Sequence, residues 1–189
     1  MSAVTAISSV QFRQRYWSAR DLVVLGVFAA AAKLSSILIA LAGGGMNPVT
    51  LLLKNLVFTT LIVVMLCKVR KPGTLFLFTC VNMVISLLLL GGSVTLIPTA
   101  LAAAVLGELA MMAAGGINSR LGVYVGVGVS DLAAKALSLG VSFLYMRETP
   151  GMVWVVVPFV LIGYIGSVAG LVSGHKVVKE LRHAGIVQH

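Results

Sequence analysis

Long apolar runs separated by short polar or glycine-rich breaks are the dominant feature of this chain. The runs fall near residues 22–42, 50–67, 74–91, 96–115, 121–145 and 152–174. A helix that crosses the hydrocarbon core of a bilayer needs about 20 mostly apolar residues, so the runs have the length of membrane spans. The pattern predicts an all-α integral membrane protein, a bundle of about six transmembrane helices that forms a single membrane domain.

The breaks between the runs contain residues that end helices or form turns. They read GGGMNP at 43–48, KVRKPG at 68–73, GGSVT at 91–95, GGINSR at 115–120 and MRETPG at 146–151. Residues 1–20 combine arginines with aromatic residues, a composition typical of a segment at the lipid headgroups. Residues 175–189 are predicted to form a basic cytoplasmic tail.

The overall composition agrees with the membrane prediction. Of the 189 residues, 59% are hydrophobic and 10% are charged, whereas soluble domains are about 45–50% apolar and about 25% charged. The formal net charge is +9. Because the basic residues collect in the breaks and tails, where they orient a membrane protein, nucleic-acid binding is not expected.

The sequence contains no pattern of residues that would indicate an enzyme. There is no glycine-rich phosphate loop, no HExxH and no GxSxG. Cys67 and Cys80 belong to no CxxC or Cys/His cluster, so neither a metal site nor a cofactor is expected. Active transport would therefore need a partner or an ion gradient.

The distribution of basic residues predicts the orientation of the helices. With the N-terminus inside, ten basic residues are cytoplasmic, whereas outside there is only Arg147. The ten are Arg13, Arg15, Arg20, Lys68, Arg70, Lys71, Arg120, Lys176, Lys179 and Arg182. Cytoplasmic connections carry an excess of Lys and Arg. We therefore predict a multi-pass protein of the cell membrane with both termini in the cytoplasm.

Several polar residues lie inside the apolar runs, where a charge costs several kcal/mol unless it is paired or hydrated. The residues near the middle of their runs are Lys33, Asn82, Glu108, Asp131 and Lys135. Each is a candidate functional residue. Lys54 lies near the outer end of its run, where it either extends to the headgroups or contributes to a site.

The spacing of these residues leaves two interpretations open. Asp131 and Lys135 are four residues apart and can pair on one helical face, which Ser138 and Ser142 continue. This face is either a structural salt bridge or a polar stripe that leads from an outward-facing cavity. Glu108 either pairs with Lys33 or Lys135, or contacts substrate.

Small residues recur at a spacing of four, which lets two helices approach closely. The positions are Gly26 and Ala30 in the first run, Gly122 and Gly126 in the fifth, and Gly166, Gly170 and Gly174 in the sixth. Most such patterns serve packing within a bundle. One of them can instead face another protein.

Five segments of the chain resemble the substrate-binding S components of energy-coupling factor (ECF) transporters. The branch that they resemble most is the one named MptE or Trep_Strep. The segments are ARDLVVLGVFAAAAK at 19–33, GGGMNPVTLLL at 43–53, KVRKPGTLFLF at 68–78, GELAMM at 107–112 and GHKVVKELRHAGIV at 174–187. The GMNP turn and the two ends are the more specific of these.

The resemblance implies a six-helix protein that captures a small solute, commonly a vitamin or its precursor, from outside the cell. Such proteins dock on a T-component membrane subunit that is driven by two cytoplasmic ATPases. In the family, a small-xxx-small face of the first helix, usually AxxxA, contacts the T component. The matching positions here are Gly26 and Ala30.

The resemblance also implies a binding cavity that opens outward. Its lining maps onto Met46, Asn47, Lys54, Glu108 and Lys135, and the polar positions Asn82 and Asp131 complete the candidate substrate-binding set. A similar permease component for a thiamine precursor carries KPG before its third helix and a Glu in its fourth. A pyrimidine-like ligand is therefore one possibility among several.

Two other classes of function compete with this interpretation. A self-sufficient secondary transporter or channel would relay protons through Glu108 and Asp131. A non-transporting membrane scaffold would use its glycine faces to bind other helices. The absence of a detectable tandem or inverted repeat argues against the usual secondary transporter with two matched halves.

The predicted orientation places Asn47 and Arg147 outside the cell. A cysteine introduced at position 47 should react with a membrane-impermeant thiol reagent added to intact cells. Labelling that occurs only after permeabilisation would reverse the orientation.

Overall fold

The computed structural model describes residues 16–45, 47–90, 94–145 and 151–183. These residues form six α-helices and one short 3-10 turn, Val94–Leu96, and they contain no strand. The helices are α1 (Ala19–Ala42), α2 (Pro48–Lys68), α3 (Thr74–Leu90), α4 (Ile97–Ala113), α5 (Arg120–Tyr145) and α6 (Gly151–His183). The predicted all-α membrane fold is confirmed. Met46 and most of the N-terminal segment, residues 1–15, lie outside the described residues.

The last helix is longer than its apolar run suggests. The run ends near residue 174, but α6 continues to His183 because Val178 is buried and Leu181 packs against the core. Its 33 residues correspond to about 50 Å, which exceeds the thickness of the hydrocarbon core, about 30 Å. Its final turns therefore extend beyond the bilayer.

Helix α3 is a short helix of the bundle, with 17 residues, or about 25 Å. Helix α4 has the same number of residues, but together with the 3-10 turn that precedes it, it is long and apolar enough to span a membrane, as are the other four helices. Its first residues, Thr74 and Leu75, are buried. The helix therefore begins inside the protein and not at its surface.

Contacts between connections define one end of the bundle, which we call the basic end. Lys71, between α2 and α3, forms a 2.7 Å salt bridge with Asp21 at the start of α1. The hydroxyl of Tyr16 donates to the carbonyl of Pro72 (3.4 Å). The basic end is the side predicted to be cytoplasmic, and the end with the α1–α2 and α5–α6 connections is called the opposite end.

Glycines bring two pairs of helices into close contact. A Cβ added at Gly170 of α6 would lie 2.6 Å from the carbonyl oxygen of Leu56 in α2, and one added at Gly107 of α4 would lie 2.8 Å from that of Gly126 in α5. At the first crossing, the hydroxyls of Thr60 and Ser173 also share a 2.6 Å hydrogen bond. The packing role predicted for most of the small residues is therefore confirmed at these positions.

The two halves of the bundle differ in packing. The largest fully buried side chains include Leu25, Met65 and Phe78, which belong to one core cluster toward the basic end. Toward the opposite end, α1 has no buried residue after Ala32 and α5 has none after Val127. In this half, α1 and α5 are therefore less buried than they are toward the basic end, whereas α6 still packs closely on α2 at Gly166.

We expect Gly170→Leu to destabilise the protein by about 1–3 kcal/mol or more, because the new side chain would push against α2 backbone. Gly140→Leu is the matched control, since a Cβ at Gly140 meets nothing within 4 Å. Unfolding of both variants in detergent with increasing denaturant measures the difference. Equal stability of the two would contradict the α2–α6 contact.

Candidate functional site

Lys135 is the centre of a polar cluster between α2, α5 and α6. Its ammonium group forms an ion pair with Oδ1 of Asp131, as the spacing of four predicts. It also donates to Oγ of Ser167 (3.2 Å) and to Oδ1 of Asn55 (3.4 Å). An ammonium group has three hydrogens, so these contacts use its full capacity.

Close packing of α6 places this cluster. Gly163 lies beside it, and a Cβ there would be 3.2 Å from Nδ2 of Asn55 and 3.4 Å from Cε of Lys135. Ser167 donates to the carbonyl of Gly163 (3.2 Å), and Asn55 donates to the carbonyl of Leu51 (2.7 Å). The side chains around Lys135 are therefore held by their own helices.

One acceptor in the cluster is left without a partner. Oδ2 of Asp131 is buried and accepts no hydrogen bond within the described part of the chain. The side chains of Asp131 and Lys135 are nevertheless 17% and 16% exposed. The cluster is therefore mostly buried in the bundle, its two charged side chains are partly exposed, and one of its acceptors has no donor among the described residues.

Two further lysines lie toward the opposite end. Lys33 of α1 is half-buried, Lys54 of α2 is exposed, and the two are close enough to repel each other electrostatically. Neither forms a salt bridge with an acidic residue of the described ranges. Among the described residues of this part of the bundle, these two lysines and Lys135 outnumber the one acidic residue, Asp131.

Asn82 of α3 is a separate polar position. It is buried, and its Oδ1 has no hydrogen-bond partner among the residues that the structure describes. No hydrogen bond connects Asn82 with the Lys135 cluster in these ranges. Its predicted place in a shared site therefore stays a prediction.

Asn47 is used as the N-cap of α2. Its Oδ1 accepts from the backbone N–H of Thr50 (2.8 Å), and its Nδ2 donates to the carbonyl of Gly43 (2.7 Å). Thr50 returns the interaction by accepting from the backbone N–H of Asn47 (3.0 Å), which completes a capping box. The GMNP turn therefore sets the direction of α2.

The prediction that Glu108 pairs with Lys33 or Lys135 is wrong. Its carboxylate accepts from three backbone N–H groups at the start of α3: Gly73 to Oε2 (2.8 Å), and Leu75 and Phe76 to Oε1 (2.8 and 3.2 Å). Glu108 belongs to the part of α4 that faces the basic end, and Lys135 pairs with Asp131 instead.

This contact explains how α3 can begin inside the protein. The first N–H groups of a helix have no partner within the helix, and a buried start has no water to supply one. The helix N-terminus also carries partial positive charge, which favours a carboxylate there. Glu108, 8% exposed, therefore serves as the cap of α3 and not as a second member of the Lys135 cluster.

The predicted coupling positions lie on an uncovered face of α1. The buried face of this helix contains Leu25, Ala29 and Ala32. A Cβ added at Gly26 meets nothing within 4 Å, and Ala30 is only half-buried. The small residues of α1 therefore differ from those of α4, α5 and α6, which contact other helices of the chain.

A sequence model of the family Trep_Strep, described as hypothetical bacterial integral membrane proteins, matches residues 19–151. The match covers more than half of the chain and includes α1 to α5. The chain belongs to the Trep_Strep family. Searches of curated proteins and of solved structures find no match.

The Trep_Strep match contains most of the candidate residues, including Glu108, Asp131 and Lys135, but it ends where α6 begins. Asn55 is inside the matched segment and Ser167 is outside it. Among the described residues, no group of three or more His, Cys, Asp or Glu side chains is arranged to hold a metal ion. The chemistry available at the cluster is hydrogen bonding and charge complementarity.

Sequence reasoning missed Asn55 and Ser167. Asn55 could have been found because it is a polar residue within an apolar run and directly follows Lys54. Ser167 follows Gly166 in a glycine-rich run, where it is indistinguishable from a packing residue. Only the crossing of α2 and α6 shows that both reach Lys135.

We expect Glu108→Leu to lower the free energy of unfolding by at least about 3 kcal/mol, since each buried N–H without a partner costs about 1–3 kcal/mol. Glu108→Gln should cost less, because its amide oxygen can still accept from Leu75 and Phe76. Denaturant unfolding of purified protein measures both. The control Glu180→Gln removes an exposed carboxylate of α6 and should have no effect. A Leu variant as stable as this control would contradict the capping role.

Proposed function

We propose that this Trep_Strep protein is the substrate-capture subunit, or S component, of an ATP-driven ECF-type importer. In this proposal it binds a small micronutrient from outside the cell and docks on a T-component membrane subunit with two cytoplasmic ATPases. The proposal rests on the resemblance of the sequence and on the distribution of polar groups in the fold.

The observation that carries the proposal is the Lys135 cluster, which lies in the half of the bundle where α1 and α5 have no buried residue among those described. A charged pair inside a membrane protein is costly and marks a functional site by default. Here the pair keeps partial exposure, and Oδ2 of Asp131 lacks a donor. A bound solute that donates to this oxygen would satisfy it, which is the behaviour expected of a capture site open on one side.

The charge of this half favours a solute with a negatively charged group. Lys33 and Lys54 repel each other and have no acidic partner in the described ranges. An anionic group placed between the two lysines and the cluster would lower that repulsion. The family resemblance supplies the expectation of a vitamin or a precursor.

Helix α1 supports the docking part of the proposal. Its exposed face combines the small residues Gly26 and Ala30 with the large apolar residues Val23 and Val27. Small side chains let a second helix approach closely in lipid. Because none of the described helices covers Gly26, a helix of a partner could approach this face.

A proton-relaying secondary transporter is less well supported. Such a relay through Glu108 and Asp131 needs groups that exchange protons and a hydrogen-bonded path between them. Both oxygens of Glu108 are occupied by backbone N–H groups, and no hydrogen bond in the described part of the chain connects it with Asp131.

The KPG segment and Glu108, which the chain shares with the thiamine-precursor component, form the cap of α3. Because this shared feature has a structural role, it gives no support to a pyrimidine-like ligand.

The coupling role of α1 is tested by purifying a tagged chain from native membranes. Wild type should co-purify with one T subunit and two ATPases. Gly26→Leu and Ala30→Trp should abolish this assembly, because bulk on the face separates the two helices, yet should leave the melting temperature of the isolated chain unchanged.

Gly140→Leu is the control, because Gly140 also faces open space but lies on α5. It should assemble normally. Normal assembly of Ala30→Trp would remove Gly26 and Ala30 from the coupling surface. Uptake by the purified chain alone, without partner subunits, would contradict the S-component proposal and favour a secondary transporter.

A further inference from the structure

A cavity of about 420 Å³ lies at the basic end, away from the Lys135 cluster. The end of α2, the α4–α5 connection, the start of α5 and the last turns of α6 form it. Its cationic and imidazole side chains are Arg70, Arg120, Lys179, Arg182, His175 and His183. Val63, Val123 and Val178 give it an apolar floor.

The described residues around this cavity do not balance its positive charge. No acidic residue is among the described residues that line it, and none of its four Lys and Arg side chains forms a salt bridge in the described ranges. Arg70, Arg120 and Arg182 line this cavity together with Cys67. Three guanidinium-bearing side chains thus share one cavity.

The ends of the surrounding helices do not supply the missing negative charge. The C-terminal ends of α2 and α6 contribute about half a negative unit each, while the N-terminal end of α5 contributes about half a positive unit. The four Lys and Arg side chains carry four positive charges, which these partial charges at the helix ends do not balance. The start of α5 also lines the cavity at Ser119 and Arg120, and helix N-termini bind anions readily.

Arg182 provides an independent sign that the cavity takes a ligand. Its Nε is buried and donates to no acceptor among the described residues. A buried donor without a partner is costly, so a ligand that offers an acceptor at this position would be stabilised. Arg70, by comparison, donates its Nε to the carbonyl of Cys67 (3.3 Å).

We propose that this cavity binds a phosphate-bearing anion, either the headgroup of an acidic phospholipid of the adjacent leaflet or a free phosphate compound. Planar guanidinium groups bind phosphate oxygens in pairs of parallel hydrogen bonds, which Lys alone does not achieve. The apolar floor complements the glycerol and first methylenes of a lipid. Basic pockets between membrane helices at the cytoplasmic side have the chemistry for such headgroups.

The test uses the full chain in detergent and native mass spectrometry with two probes, phosphatidylglycerol and inorganic phosphate, added in separate titrations. Wild type should retain at least one of them. Arg182→Gln and Arg120→Gln should each weaken retention about tenfold or more, since a hydrogen bond between charged partners contributes roughly that factor. Arg120 is exposed, so its variant should fold even if the Arg182 variant does not.

Lys176→Gln is the matched control, because Lys176 lies on the same helix and is exposed but does not line the cavity. It should bind as wild type does. Retention of the lipid alone identifies the headgroup as the ligand, and retention of inorganic phosphate identifies a soluble anion. The proposal would be overturned if wild type retained neither probe, or if Lys176→Gln weakened retention as much as the arginine variants do. It would also be overturned if only an acidic protein segment were found to fill the cavity.

Discussion

The interior of a bilayer offers no water, so every polar group that enters it must find its partner within the protein, and the arrangement of this bundle follows from that constraint. The buried start of α3 is possible because Glu108 accepts from three of its N–H groups. Lys135 is possible because Asp131, Asn55 and Ser167 surround its ammonium group. The close crossing of α2 and α6 is what brings the last two within reach.

The exceptions to this rule point to function. Most polar groups of the described interior are satisfied, but Oδ2 of Asp131, Nε of Arg182 and Oδ1 of Asn82 are buried without partners. The oxygen of Asp131 needs a donor and belongs to the Lys135 cluster. The nitrogen of Arg182 needs an acceptor and lies at the cavity of the basic end. The satisfied groups therefore account for the fold, and the unsatisfied groups of Asp131 and Arg182 are the observations on which the two proposed binding sites rest.

The sequence predicts the helices well because the length of an apolar run is a local property. It predicts side-chain pairs only where the spacing within one helix determines them. Asp131 and Lys135 are four residues apart on one helix, so their pairing could be foreseen. Glu108 could not be placed, because its partners are backbone groups, which the sequence does not distinguish from any others. The KPG and GEL segments, separate in the sequence, form one capping unit in the fold. Likewise, the apolar run alone does not show that α6 continues to His183, because the charged residues of its last turns hide the apolar stripe with Val178 and Leu181.

We propose above that the Lys135 cluster captures a small solute. The decisive test is mass spectrometry of the small molecules released from gently purified protein. Wild type should release one anionic compound that is missing from Asp131→Asn/Lys135→Met, a double variant that removes both charges together and so leaves neither one buried and unpaired. The double variant should remain folded. Release of the same compounds from both proteins, or of none from wild type, would contradict the claim.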